Sequence, residues 1–232
     1  MTGTFINMGT IAVGTAIGAL AGSRLPGRMR KNVLNGLGLV TILIGLQMAM
    51  RTQNILVVLG ALLLGGLLGE ALRLEDRLEN LGEFLQAKLS GDSGHSLAEG
   101  FVTASLVFCV GPMAILGSIS DGLSGDYRLL SIKAVMDGFA SIAFAASLGW
   151  GVALSALSIL IYQGGITLFA NILSALLTDP MIAEMTATGG LIIVGIGIKL
   201  LEIKPLRLAN YVPAIAVAPI ILALTPVVQR LV

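Results

Sequence analysis

Asp137 has the clearest capacity for chemistry in this sequence, because it is a carboxylate inside a long apolar run. It lies nine residues after Arg128, about 13 Å along a helix that rises about 1.5 Å per residue, and so near the midplane of a bilayer. A charge at that depth costs about 3 kcal/mol or more and needs a partner. Lys133 and Ser141 lie one turn away on the same helix face. This spacing indicates a cation or proton site; the alternatives are a structural ion pair with Lys133 and a shallow Asp137 hydrogen-bonded to neighbouring helices.

Neutral side-chain oxygens recur at matching depths in other apolar runs, at Asn7, Gln163 and Thr167. Amide oxygens suit Na⁺ or a polar solute as ligands. The alternative is that they join helices through hydrogen bonds worth roughly 0.6 kcal/mol each. If the two halves of the chain are related by a repeat, Asn7 and Gln163 lie near each other around its pseudo-two-fold axis.

The segment around Gly111 and Pro112 is the least lipid-like part of the apolar sequence. Proline cannot donate a backbone hydrogen bond and frees the carbonyl four residues before it. Free carbonyls at membrane depth persist only where protein or a wet cavity satisfies them, and they are ligands for cations. Ser118 and Asp121 follow in the same segment and complete the candidate ion-binding set. A plain proline kink that helps packing is the alternative.

The sequence lacks the motifs of the common enzyme classes. It has no GxxxxGK[ST], HExxH or GxSxG pattern. A single cysteine excludes an internal disulfide, and one histidine with one cysteine argues against zinc or haem chemistry. We therefore expect no enzymatic activity and no cofactor, and the identity of any bound metal ion stays open. A net charge of +1 argues against a nucleic-acid partner.

Composition determines the elements that must position these residues. The 232 residues are 56% hydrophobic and 12% charged, about half the charged content of a soluble domain. Because a membrane-spanning helix needs roughly 20 mostly apolar residues, the sequence predicts an all-α polytopic membrane helix bundle, a single integral membrane domain over 1–232. Eight spans are predicted, at 4–23, 32–50, 54–73, 98–120, 129–149, 151–174, 183–201 and 210–228.

Two parts of the chain resemble each other weakly, so we predict repeat-like units at 4–73 and 151–228 around central helices at 98–149. Gly38 and Gly45 of the first align with Gly190 and Gly197 of the second. Five spans separate the starts of the two units, and an odd number of crossings inverts the second copy. Inverted repeats of three helices are typical of secondary transporters, whose sites lie near the midplane between the copies.

The distribution of lysine and arginine predicts the orientation. Ten of these residues fall in the loops after spans one, three, five and seven, and four fall on the other side. Because short cytoplasmic loops carry the excess of positive charge, the ten are expected inside. We therefore predict a multi-pass protein of the cell membrane with both termini outside and a retained first helix.

Two further features have partner-related interpretations. The connector at 74–97 has leucines at helical spacing and predicts a cytoplasmic amphipathic helix at the inner interface, either a plain connection or a partner-binding element. Glycines at four-residue spacing, Gly14, Gly18 and Gly22 among them, predict close helix packing, either within the chain or in a homodimer. The lipid bilayer is the one partner that the composition requires.

The central sequence resembles a known family. The stretches SLVFCVGPMAILGSISDGLSGD, LSIKAVMDGFASIAFAASLGWGVALSAL and YQGGITLFA are similar to the signature of a prokaryotic multi-pass membrane protein family, domain of unknown function 554, with members labelled YdfK-like or YqgA-like. The terminal stretches resemble it too, so the likeness covers nearly the whole chain. The resemblance implies a cytoplasmic-membrane protein and names no substrate. Its strongest motif residues present here are Gly111, Pro112, Ser118, Asp121, Gly122, Asp126, Lys133, Asp137, Gly138, Gln163 and Gly164.

These observations favour a secondary transporter or channel for a small ion, most simply a cation. In this hypothesis Asp137 supplies charge, and Asn7, Gln163, Ser118 and carbonyls near Gly111 supply neutral oxygens. A transporter of a small organic solute is the first alternative, which needs a larger polar cavity and an anion partner such as Lys133 or Lys199. A membrane scaffold that does not transport is the second.

Overall fold

The chain folds into helices throughout the part that the structure, a computed structural model, describes. That part comprises residues 1–24, 26–78, 80 and 96–229, with side chains described except at 30, 96 and 225–229. Two 3₁₀ turns, Gly149–Leu154 and Leu208–Tyr211, interrupt the α-helices. The α-helices are α1 (Thr2–Gly22), α2 (Gly27–Ala49), α3 (Ile55–Ala71), α4 (Ser96–Cys109), α5 (Pro112–Ser124), α6 (Arg128–Leu148), α7 (Ser155–Leu168), α8 (Ala170–Leu176), α9 (Asp179–Leu200) and α10 (Val212–Gln229).

Four helical stretches in the described residues are long and apolar enough to cross a membrane: α1, α2, the run Arg128–Leu168 and α9. The bent pair α4 and α5 is a fifth if it counts as one span. Helix α3 and the stretch Leu208–Leu224 are apolar but shorter. Large apolar side chains cover their outer faces, as in Leu67, which is 69% exposed. The all-helical, membrane-spanning class predicted from the sequence is therefore confirmed.

The predicted span at 98–120 is broken rather than kinked. Helix α4 ends at Cys109, α5 starts at Pro112, and their axes meet at 65°. Gly111 between them has φ +155°, a backbone conformation that side chains with a Cβ rarely adopt. The proline's missing N–H and the glycine's unusual φ together end one helix and start another.

The boundary between the predicted spans 129–149 and 151–174 is longer than the single residue that separates them in the prediction. Gly149 ends α6 with φ +77°, and the 3₁₀ turn that follows connects α6 to α7. Gly151 packs so closely on the start of α4 that an added Cβ would overlap the carbonyl oxygen of Leu97. The division between the two predicted spans is thus a packed element of six residues.

Helices α1 and α6 run parallel with their backbones in contact. Going along α1, Gly14 faces Gly138 and Gly18 faces Ile142, so both helices advance in the same direction. A Cβ on either α1 glycine would overlap a carbonyl oxygen of α6. Of the two interpretations of the glycine spacing, the structure shows packing within the chain. The small residues let two backbones approach where lipid offers no hydrophobic drive.

Helices α2 and α9 run antiparallel through reciprocal glycine contacts. A Cβ on Gly45 would lie 2.7 Å from the Gly190 carbonyl oxygen, and one on Gly190 would lie 2.7 Å from that of Gly45. Gly38 and Gly197 face each other in the same way, at 3.1 and 2.7 Å. Helices α3 and α10 pack antiparallel as well.

The connector at 74–97, predicted as an amphipathic helix, is described at its start, at residue 80 and at its last two residues, which begin α4. Residues 74–78 are helical, while 79 and 81–95 lie outside the described residues. Glu75, near the start of this connector, is only 3% exposed. Its carboxylate accepts a bond from the Ala209 N–H at 2.7 Å and lies 3.6 Å from the Lys199 ammonium. The start of the connector is therefore anchored to the turn before α10.

Candidate functional site

An ion pair forms the centre of the candidate site. The Lys133 ammonium donates to Oδ2 of Asp137, one turn further along α6. The Asn7 amide of α1 donates to the same oxygen at 2.9 Å. The parallel packing of α1 on α6 brings this amide to the carboxylate. Lys133 and Asp137 are both buried in the bundle, as the cost of a charge at membrane depth requires.

A chain of hydrogen bonds continues from the ion pair to a third helix. Asn7 Nδ2 also lies 3.2 Å from Oε1 of Gln163 on α7, and Gln163 Nε2 donates to Oγ1 of Thr4 at 3.2 Å. All three of these neutral residues are fully buried. Thr4 and Asn7 are three residues apart and share one face of α1. The sequence predicted that Asn7 and Gln163 lie near each other if the two halves of the chain form a repeat, and in the structure their side chains are hydrogen-bonded.

Two oxygens in this network have no hydrogen-bond donor. Asn7 Oδ1 is buried and unpaired. Both bonds to Asp137 end on Oδ2, so within the described residues Oδ1 accepts none. A rotated Asn7 amide would aim its oxygen at the carboxylate and at Gln163 Oε1, which is unfavourable. A buried unpaired acceptor costs about 1 to 3 kcal/mol, so Asn7 Oδ1 is suited to a water or a small cation. Asp137 Oδ1 belongs to a side chain that is 12% exposed and is free to bind the same ligand.

The ion pair is not sealed completely. The Asp137 side chain keeps 12% of its surface accessible and Lys133 keeps 8%. Their opposite charges leave the pair neutral overall. Over the described residues no cluster of three or more His, Cys, Asp or Glu side chains could hold a metal ion. The site therefore offers one carboxylate, whose charge is balanced by Lys133, and several neutral oxygens.

The break between α4 and α5 lies beside α6, the helix that carries the ion pair. The Phe108 ring, one residue before the end of α4, meets the Phe144 ring of α6 edge to face, with the ring centroids 6.0 Å apart. Val110 donates the last hydrogen bond of α4, and the carbonyl of Gly111 accepts the first ones of α5. Within the described residues, no hydrogen bond reaches the carbonyls at 107–110. The break thus supplies the free carbonyls predicted from Pro112.

The other predicted site residues make local contacts. Ser141 Oγ donates to the Gly138 carbonyl at 2.7 Å, and Thr167 Oγ1 to the Gln163 carbonyl at 2.9 Å. Both residues are neighbours of the network on α6 and α7, but their side chains make no hydrogen bond to the side chains of Asp137, Asn7 or Gln163.

Ser118 and Asp121 lie on α5, apart from the hydrogen bonds of Asp137. The Ser118 hydroxyl is fully buried and unpaired. Asp121 accepts bonds from the Gly3 N–H at 3.1 Å and the Met1 amine at 3.0 Å. Asp121 therefore fixes the start of α1 and, through it, the position of Asn7.

Asp126, another motif residue, follows α5 in an exposed turn. It accepts bonds from the backbone and guanidinium of Arg128, which lower the pKa of its carboxyl to about 2. It stays ionised at neutral pH and caps the start of α6.

Thr4 and Glu184 are two of the buried polar residues that the sequence analysis did not identify. Thr4 ends the hydrogen-bond chain, and its spacing from Asn7 was the available signal. Glu184 of α9 is 1% exposed and accepts bonds from Thr52 Oγ1 at 2.7 Å and from the N–H groups of Gln53 and Asn54 at 2.7 and 2.9 Å. A carboxylate near the start of an apolar run was the signal there. Glu184 holds the connection between α2 and α3.

These features define a class: a polytopic helical membrane protein with a buried ion pair in a network of neutral oxygens. The chain belongs to the family described as "Protein of unknown function (DUF554)", which matches residues 2–223. It is 31% identical over 228 residues to the uncharacterized membrane protein YdfK of Bacillus subtilis, covering 96% of each chain. It is also 31% identical over 223 residues to the uncharacterized protein YqgA of Escherichia coli, covering 93% of this chain and 94% of that one. No solved structure matches it.

Proposed function

We propose that this protein is a secondary transporter or channel for a small cation, with its site at Asp137. The observation that carries the proposal is a buried carboxylate whose network leaves Asn7 Oδ1 without a donor. Membrane proteins retain charges at depth mainly along ion pathways and in proton relays. A purely structural network would be expected to satisfy its buried acceptors.

The surrounding oxygens suit a cation as its ligands. Asp137 supplies the charge, and the amide oxygens of Asn7 and Gln163 lie within the same hydrogen-bond network. The broken helix adds unpaired carbonyls at 107–110, the type of backbone that coordinates cations in transporters built from discontinuous helices. A route to the site requires only that water reach the exposed edge of the ion pair.

The proposal includes eight membrane crossings and an inverted repeat of 4–73 with 151–228. The glycine contacts of α2 and α9 support it. In the predicted repeat, Gly38 corresponds to Gly190 and Gly45 to Gly197. A two-fold axis that relates the two units would convert the contact between Gly38 and Gly197 into a contact between Gly190 and Gly45. Both contacts are present. With eight crossings, α1 and α6 run in the same direction and both termini are outside the cell membrane.

The test is cation flux into sealed proteoliposomes. Wild type and Asp137→Asn are compared for Na⁺, K⁺, H⁺ and divalent ions. We expect flux selective for one cation in wild type and a loss of at least about tenfold in the variant, since its site lacks the charge that holds a desolvated ion. Asp179→Asn, the same chemical change at the exposed start of α9, is the matched control and should transport like wild type.

The absence of cation flux in folded, inserted wild-type protein would contradict the proposal. Stabilisation by an organic solute and not by salts would then favour a solute transporter. Equal flux in wild type and Asp137→Asn would place the pathway away from the ion pair.

A further inference from the structure

The Lys133 ammonium occupies the position on Asp137 that a bound cation needs. It donates to Oδ2, the oxygen that also receives the Asn7 amide. An ammonium group carries one positive charge and binds carboxylate and neutral oxygens, as a small monovalent cation does. The lysine is therefore a cation already present in the site, attached to the protein by its own side chain.

We propose that Lys133 is a tethered competitor for the site and that the cation it excludes is monovalent. This inference rests on the proposed function, because it assumes that Asp137 binds the transported ion. When the ion binds, the ammonium leaves Oδ2 and the Asn7 amide turns its oxygen toward the ion. When the ion leaves, the lysine returns and neutralises the buried carboxylate.

The charge of the site argues for a monovalent ion. With the ammonium displaced, the carboxylate carries one negative charge and its close partners Asn7, Gln163 and Thr4 are neutral. A monovalent cation restores neutrality, whereas a divalent cation leaves a net positive charge in a low-dielectric region. Divalent sites in proteins commonly use several carboxylates, and within the described residues none joins Asp137 in such a group.

The remaining groups around the pair do not replace the lysine. Within the described residues, the polar contacts of Asp137 are with Lys133 and with the neutral amide of Asn7. Among the groups identified around Asp137, Lys133 is therefore the only permanent positive charge close to it. The fraction of molecules in which Lys133 is bound to Asp137 therefore determines the fraction that is free to bind an ion.

The experiment measures cation binding to purified wild type, Lys133→Met, Lys133→Arg and Asp137→Asn, by calorimetry and by thermal stabilisation in Li⁺, Na⁺, K⁺, Mg²⁺ and Ca²⁺. If the ion pair is formed in about nine-tenths of the molecules, removal of the Lys133 ammonium raises the apparent affinity for the cation about tenfold. We expect this gain for a monovalent ion in Lys133→Met. Lys133→Arg keeps the positive charge and should bind no more tightly than wild type, and Asp137→Asn should not bind.

Several results would overturn the inference. If Lys133→Met binds the ion no more tightly than wild type, Lys133 is not a competitor for the site. If Asp137→Asn loses binding in the same experiment, the proposed cation site at Asp137 is still supported. Selective binding of Mg²⁺ or Ca²⁺ would reject the monovalent class. If neither wild type nor Lys133→Met binds any cation, the proposed function itself fails.

A second variant applies if Lys133→Met does not fold. Lys133→Gln also lacks the competing charge but keeps a polar end, and it should show the same gain in cation affinity. A folded Lys133→Gln that binds the ion no more tightly than wild type would contradict the inference. The double variant Lys133→Met with Asp137→Asn removes both charges and serves as the folding control, since neutral replacement of a buried pair is often tolerated.

Discussion

The buried ion pair shows what single residues contribute to this site. Its spacing on one helix was visible in the sequence, since Lys133 and Asp137 are four apart. The hydrogen bond from the Asn7 amide to Asp137 was not visible in the sequence, because the two residues are 130 positions apart in the chain. Sequence predicts which side chains need partners, whereas the donor that reaches Oδ2 depends on how α1 and α6 pack.

Asn7→Ala should destabilise the protein. It removes the donor that serves both Asp137 Oδ2 and Gln163 Oε1, and buried groups left without partners cost about 1 to 3 kcal/mol. We expect a clearly lower melting temperature in detergent than for wild type. Asn171→Ala, at an exposed position of α8, is the control and should melt like wild type. Equal melting of the two variants would show that the network contributes little to stability.

At the scale of the elements, glycine placement decides which helices touch. The four-residue spacing of glycines on α1 predicted a close contact, and the contact is with α6. The sequence left open whether such a face binds within the chain or in a dimer, because a glycine pattern describes one surface and not the partner. The sequence predicted the position of the break at Gly111 and Pro112. It did not predict the 65° angle between the two helices, because that angle depends on the helices packed around them.

Two glycines on α1 provide a matched test of this packing. A Cβ on Gly18 would overlap the Ile142 backbone, while one on Gly9 meets nothing within 4 Å. Gly18→Ala should lower the free energy of unfolding by about 2 kcal/mol, because overpacking forces the helices apart. Gly9→Ala should be neutral or stabilise by up to about 1 kcal/mol through helix propensity. Unfolding by detergent titration measures both, and a similar effect of the two changes would reject the close contact of α1 and α6.

At the scale of the whole molecule, the class of protein could be predicted from the sequence more completely than the number of membrane crossings. Apolar composition and family resemblance both indicated a polytopic membrane protein. The number of crossings is harder to predict, because α3 is short and the run from α6 to α7 is joined by a 3₁₀ turn instead of a polar loop. Reciprocal glycine contacts between α2 and α9 appear only once the chain is folded.

Cysteine labelling in cells tests the proposed crossings. In a Cys109→Ala background, Gln53→Cys and Ser124→Cys should react with a membrane-impermeant maleimide from outside. Ser23→Cys and Glu202→Cys should react only after the membrane is opened, since these loops belong to the positively charged inner side. All four positions are exposed. Labelling of Ser23→Cys in intact cells would overturn the orientation, and labelling of only one outer position would overturn the count.

The glycine-lined contacts of α1, α2 and α3 also have a consequence for how the protein is made. Their partners are α6, α9 and α10, so each of the first three helices leaves the ribosome more than 100 residues before the helix that covers it. At about 5 to 20 residues per second, that delay is on the order of ten seconds. During this time the Asn7 amide is in the membrane without Asp137 or Gln163. Biosynthesis therefore has to separate the insertion of the first helices from their assembly, and a chain interrupted before α6 exposes all three uncovered faces to quality control.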